Sequence, residues 1–71
     1  MKLKGQVKYR DLEGGVWVLE SEDGRTYQLA GGDRKLKQDG RKVEVDGDAD
    51  PDAVTAQMVG PVFTVRTYRF V

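Results

Sequence analysis

Val16-Trp17-Val18-Leu19-Glu20, then Ser21-Glu22-Asp23-Gly24, then Arg25-Thr26-Tyr27-Gln28-Leu29 is the stretch that decides the fold. Two short runs rich in β-branched and aromatic residues flank a turn sequence, which is the pattern of a hairpin and not of a helix. Val16 to Glu20 is apolar on both faces, so alternation alone does not orient it. The turn does. Ser21-Glu22-Asp23-Gly24 suits a type I turn with Gly24 in the left-handed region, a three-residue loop closed by a bulge. That register sets Leu19 opposite Tyr27 and Trp17 opposite Leu29, so these large side chains share one face. Val16, Val18, Glu20, Thr26 and Gln28 then share the other. A two-residue turn at Asp23-Gly24 would put Tyr27 on the side of Glu20 and set Trp17 against glycine or alanine, a poorer core.

Working outward, the chain before this hairpin alternates from about Leu3 to Asp11, with Leu3, Val7 and Tyr9 on one face and Lys2, Lys4, Lys8 and Arg10 on the other. Gly5 falls on the apolar face, where a glycine marks a bend or a close backbone approach. Gly14-Gly15 forms the first turn. Beyond the hairpin, Ala30 to Gly40 is too long for a tight turn and carries Leu36 as its only large apolar residue. A short helical turn with Leu36 plugging one end of a barrel is expected there. A fourth strand is expected from Arg41 to about Gly47 with Val43 and Val45 inward, followed by an acidic hairpin tip at Asp48 to Asp52. The fifth starts near Val54, is interrupted at Gly60-Pro61 and resumes toward Val71. Phe63 and Val65 have one parity and Tyr68 and Phe70 the other, so a bulge near Arg66-Thr67 is needed for all of them to point inward. The fold class is therefore all-β, a single domain of five strands over residues 1–71.

Several pieces carry a resemblance: Gly5-Gln6-Val7, Asp11-Leu12-Glu13-Gly14-Gly15-Val16-Trp17, Asp23-Gly24-Arg25-Thr26-Tyr27, Asp39-Gly40 before Val43, and Met58-Val59-Gly60-Pro61. Their order resembles that of small bacterial OB-fold proteins and lipoproteins of unknown function. The resemblance implies a closed or partly open five-stranded OB-like barrel with a long connection between strands three and four, and it implies no activity. A Src-homology-type barrel is the alternative, disfavoured by the length of that connection.

Composition narrows the chemistry. In 71 residues there is no cysteine and no histidine, so the usual ligands of zinc, copper and iron–sulfur centres are missing and no cofactor is expected. No nucleophile stands beside a base, and Ser21 belongs to a turn that uses its hydroxyl, so the chain is read as non-enzymatic. Asp46, Asp48, Asp50 and Asp52 alternate like the start of an EF-hand loop, but Pro51 and Gln57 occupy the positions of its glycine and its bidentate glutamate. Calcium is not expected. The net charge of zero conceals blocks: +4 over residues 1–10, −4 over 11–25, +3 over 33–42 and −5 over 44–52. Strand one lies antiparallel to strand four in an OB barrel, so Lys4 and Lys8 are expected near Glu44 and Asp46, neutralising one another.

Single-stranded nucleic acid is disfavoured, because the outward face of strands two and three carries neither an aromatic nor a cation. Val16 and Val18 are read as exposed there, while Tyr9, Trp17 and Tyr27 are read as core. No apolar run is long enough to span a membrane. These readings converge on a monomeric binding or interaction module, its partner an unknown protein or small ligand, with a single-stranded nucleic-acid binder as the alternative. A cytoplasmic location is expected for the chain as it stands, an extracytoplasmic one if a leader has been removed.

Overall fold

The computed structural model describes residues 1–11, 14–32, 34–50 and 60–71. It contains β1 (Lys2–Arg10), β2 (Val16–Ser21), β3 (Thr26–Gly31), one 3-10 turn (Arg34–Leu36), β4 (Lys42–Asp50) and β5 (Val62–Phe70). The hairpin register follows from its turn. Gly24 has φ of 90°, its amide donates to the Ser21 carbonyl at 3.0 Å, and the Ser21 amide donates to Arg25 at 2.8 Å. Leu19 accordingly faces Tyr27, and Val18 faces Gln28.

The sheet closes into a barrel in the order β1-β2-β3-β5-β4. All neighbours are antiparallel except β3 and β5, which run parallel from Gln28–Val62 to Gly31–Val65. β1 serves two partners at once, with Gly5 opposite both Ser21 of β2 and Val43 of β4. A Cβ on Gly5 would collide with the Glu20 carbonyl oxygen, so the strand can turn from one partner to the other only with glycine there. Along β4 and β5 the register shifts between Asp46, opposite Thr67, and Gly47, opposite Val65, leaving Arg66 as the bulged residue. That bulge brings both parities of β5 to the interior: Phe63 and Val65 are buried, and Tyr68 and Phe70 pack partly buried against the same cluster.

The interior is filled by Leu3, Val7, Leu19, Tyr27, Leu36, Val43, Val45, Phe63 and Val65. Leu36 is fully buried and reaches this cluster from the 3-10 turn, so the long connection does plug one end. Backbone bonds fix it there: the Gly40 amide donates to Val7 at 2.7 Å and the Val7 amide to Arg41 at 2.9 Å.

Several expectations are corrected. β4 does not end at Gly47 but continues through Asp48 and Asp50, opposite Thr64 and Val62, so neither aspartate lies at a hairpin tip. The reason is Gly47, whose missing side chain lets β4 press on the Thr64 carbonyl and remain paired. Lys8 is opposite Val18 on β2 and away from the acids of β4, because β1 has passed from β4 to β2 by that point. The proposed strand start near Val54 and the Pro51 turn lie outside the described residues.

Candidate functional site

Three outer surfaces present chemistry. On the first, β2 and β3 carry Val16, Val18, Glu20, Thr26 and Gln28, as their register requires. Val16 and Val18 are nevertheless only 5% and 0% exposed, and Val62 beside Gln28 is also buried. Outward parity does not amount to exposure here, since Val18 is flanked across the sheet by the long stems of Lys8 and Gln28. The Gln28 Oε1 atom is buried and accepts no hydrogen bond. Glu20 is engaged by the Arg10 guanidinium. Among the described residues this face has no exposed ring, its cations are Lys8 and the Glu20-bound Arg10, and its apolar residues are already covered.

The second surface lies across β1, β4 and β5, where the acidic stripe of β4 runs between two basic strands. Glu44 is bridged by Lys4 at 3.9 Å and by Arg69 at 3.1 Å. Asp46 is bridged by the Met1 ammonium at 3.4 Å and by Arg66 at 3.5 Å. Partial burial of Asp46 works to raise its pKa, yet the Met1 ammonium and Arg66 outweigh it and hold the carboxyl below its ordinary value. Lys2, Glu44, Asp46, Thr67, Tyr68 and Arg69 line a shallow depression of about 300 Å³ on this face. Its two acids are each answered from within the fold, as the blocks of the sequence implied, with Lys4 but not Lys8 taking part.

The third surface is the plugged end. Tyr9, expected in the core, is 45% exposed, and Trp17 is half-buried beside it. The two rings meet edge to face, with centroids 5.2 Å apart and planes at 60°. The Tyr9 hydroxyl lies over Gly15, where any Cβ would strike it, and Gly15 has φ of 99°. Tyr9 emerges because β1 outruns the layer closed by Leu36: its amide donates to the Asp39 carboxylate at 2.9 Å, at the very rim of the barrel. The same rim holds Arg34, Lys35, Lys37 and Arg41, all exposed. Among the described residues no carboxylate lies within ion-pair range of Arg34 or Lys37. Arg41 sits with its guanidinium carbon 4.1 Å from the centre of the Phe70 ring and donates to Gln38 Oε1 at 3.1 Å.

The sequence contained both halves of this juxtaposition but not the fact of it. Tyr9 has the parity of a core residue, and only the position of Leu36 shows that the basic connection folds back against the end of β1. Gly14-Gly15, a turn that leaves space beneath a ring, is the one local signal that could have singled Tyr9 out.

Among the described residues no group of three or more acids is placed to hold a metal ion, and no helix is long and apolar enough to cross a membrane. The family described as a protein of unknown function (DUF5818) matches residues 11–62, which hold β2, β3, the 3-10 turn and β4 but neither β1 nor β5 beyond Val62. The chain belongs to the DUF5818 family. No curated protein and no solved structure matches it. The matched DUF5818 segment takes in Trp17, the hairpin, the Leu36 plug and the Arg34 to Arg41 rim, whereas Tyr9 precedes it.

Proposed function

We propose that this DUF5818 chain is a non-catalytic, monomeric binding module of the OB type that meets its partner on the outside, at the plugged end of the barrel. The OB reading is supported by the strand order β1-β2-β3-β5-β4, the parallel β3–β5 pair and the plug between β3 and β4. The observation that carries the functional reading is Tyr9, 45% exposed and fixed beside the exposed cations of residues 34–41 while the barrel interior is occupied by its own side chains. A large ring left in water at a defined angle is a contact element, and contact surfaces favour rigid aromatics flanked by charge.

Amide chemical-shift mapping against panels of oligonucleotides, acidic and basic peptides and small metabolites tests this. A binding partner should shift Tyr9, Gly15 to Trp17 and residues 34–41. A partner whose shifts centre on Lys2, Glu44, Asp46 and Arg69 would move the contact surface to the depression on β1, β4 and β5 and overturn the assignment.

A further inference from the structure

Resting on that reading of the plugged end, we propose that its ligand is a single-stranded nucleic acid. Tyr9 supplies a stacking platform for one unstacked base, and Arg34, Lys37 and Arg41 supply phosphate contacts. Two independent features meet here and nowhere else among the described residues. One is an exposed aromatic ring. The other is exposed positive charge that no described carboxylate neutralises.

The ring is held in place before any ligand arrives. Trp17 meets it edge to face with the ring centroids 5.2 Å apart, its hydroxyl end rests over Gly15, and its backbone is tied to Asp39. A base stacking on it therefore orders little that is not already ordered, which is where rigid aromatic contacts gain affinity. The connection that carries these cations lies against the end of β1 because Leu36 anchors it and the bonds from Gly40 to Val7, from Val7 to Arg41 and from Tyr9 to Asp39 hold its backbone there. Asp39, whose carboxylate accepts the Tyr9 amide, is the one acid of residues 34–41 and stands against the four cations Arg34, Lys35, Lys37 and Arg41, so the segment keeps a net positive charge. Arg10, on the other side of Tyr9, is committed to Glu20.

Ligand class follows from the pairing of ring and charge. An acidic peptide would use the cations and leave the fixed ring idle. A duplex presents phosphates but keeps its base faces stacked on one another. Of these three, a single strand alone offers a phosphate chain and a free π face together.

The test is titration of a thymidine octanucleotide into the isotope-labelled chain. The expected Kd is roughly 10⁻⁵ M at low salt, with amide shifts at Tyr9, Trp17 and residues 34–41. Three phosphate contacts predict that affinity falls about 20-fold between 50 and 200 mM salt. Tyr9→Leu keeps apolar bulk but removes the π face and should weaken binding about tenfold, whereas Tyr9→Phe should bind as well as the parent. Arg34→Glu combined with Lys37→Glu should remove most of the affinity and reduce the fall between 50 and 200 mM salt to about threefold, the share of Arg41 alone. Lys2→Glu combined with Arg69→Glu, in the depression on β1, β4 and β5, should leave both unchanged.

Equal binding by Tyr9→Leu and Tyr9→Phe overturns the proposal, as does loss of binding in the Lys2 and Arg69 variant alone. If hexaglutamate, or vesicles containing anionic lipid, shift the rim amides more tightly than the oligonucleotide does, the nucleic-acid assignment falls while the rim stands as the contact surface. If no partner of any class shifts those amides, both fall together.

Discussion

Leu36→Ala strikes the one side chain that joins the long connection to the core. Leu36 is fully buried, packs in the main cluster, and would collide with any side chain placed on Gly32, so its pocket is closely fitted. Removing a buried leucine side chain costs about 2–5 kcal/mol, the loss of transfer energy plus the cavity left behind. The 3-10 turn is short and its other two residues, Arg34 and Lys35, are exposed, so it can partly collapse into the space, and a value near 3 kcal/mol is expected. A chain of 71 residues is worth about 4–11 kcal/mol in all, so this single change removes a large part of the margin. Urea unfolding followed by Trp17 fluorescence measures the global loss. Amide exchange measures the local one: Gly40, bonded to Val7, should lose protection before the Val43–Phe70 pairing does. A loss below about 1 kcal/mol together with unchanged exchange at Gly40 would refute the claim that Leu36 holds the rim against β1.

Gly47→Ala drives a Cβ into the Thr64 backbone carbonyl and should cost about 1–3 kcal/mol by calorimetry, with the loss of protection centred on the bulge at Arg66. Glu44→Lys replaces the acid shared by Lys4 and Arg69 with a third cation. It should destabilise by about 1–2 kcal/mol at low salt and distinctly less at high salt, because exposed pairs are worth little and are screened. Trp17→Ala should cost about 1–3 kcal/mol, less than for a fully buried tryptophan, since the ring is only half-buried. Asp23 is held below its ordinary pKa of 3.8 by the Arg25 backbone amide, and Asp46 is also lowered. Groups lowered in the folded state contribute stability above that value and lose it as pH falls through their folded values, so Asp23→Asn and Asp46→Asn should each lower the neutral plateau of a melting-temperature profile slightly, flatten its acid limb below pH 3.8 and converge with the parent in strong acid.

What could be read without coordinates was whatever depends on neighbours in the chain. The Ser21 to Gly24 turn determines its own geometry, and through it the Leu19–Tyr27 register, because a bulged type I turn allows only one offset between the strands it joins. The bulge at Arg66 was legible for a similar reason: two inward parities on one strand require an extra residue between them. Gly5 and Leu36 stood out because each breaks the composition around it.

Exposure was not legible, because it depends on what a distant segment places over a residue. Val16 and Val18 have outward parity and are buried, while Tyr9 has inward parity and stands in water. Pairing of charges fell between the two cases. The antiparallel β1–β4 pair follows from the topology and brings Lys4 to Glu44, but the point at which β1 leaves β4 for β2 decides that Lys8 meets a valine instead. The candidate site belongs wholly to this second kind of information. Residue 9 and residues 34–41 are joined only because a closed barrel must fill its open end, and the leucine that fills it draws the basic connection against the C-terminal end of β1.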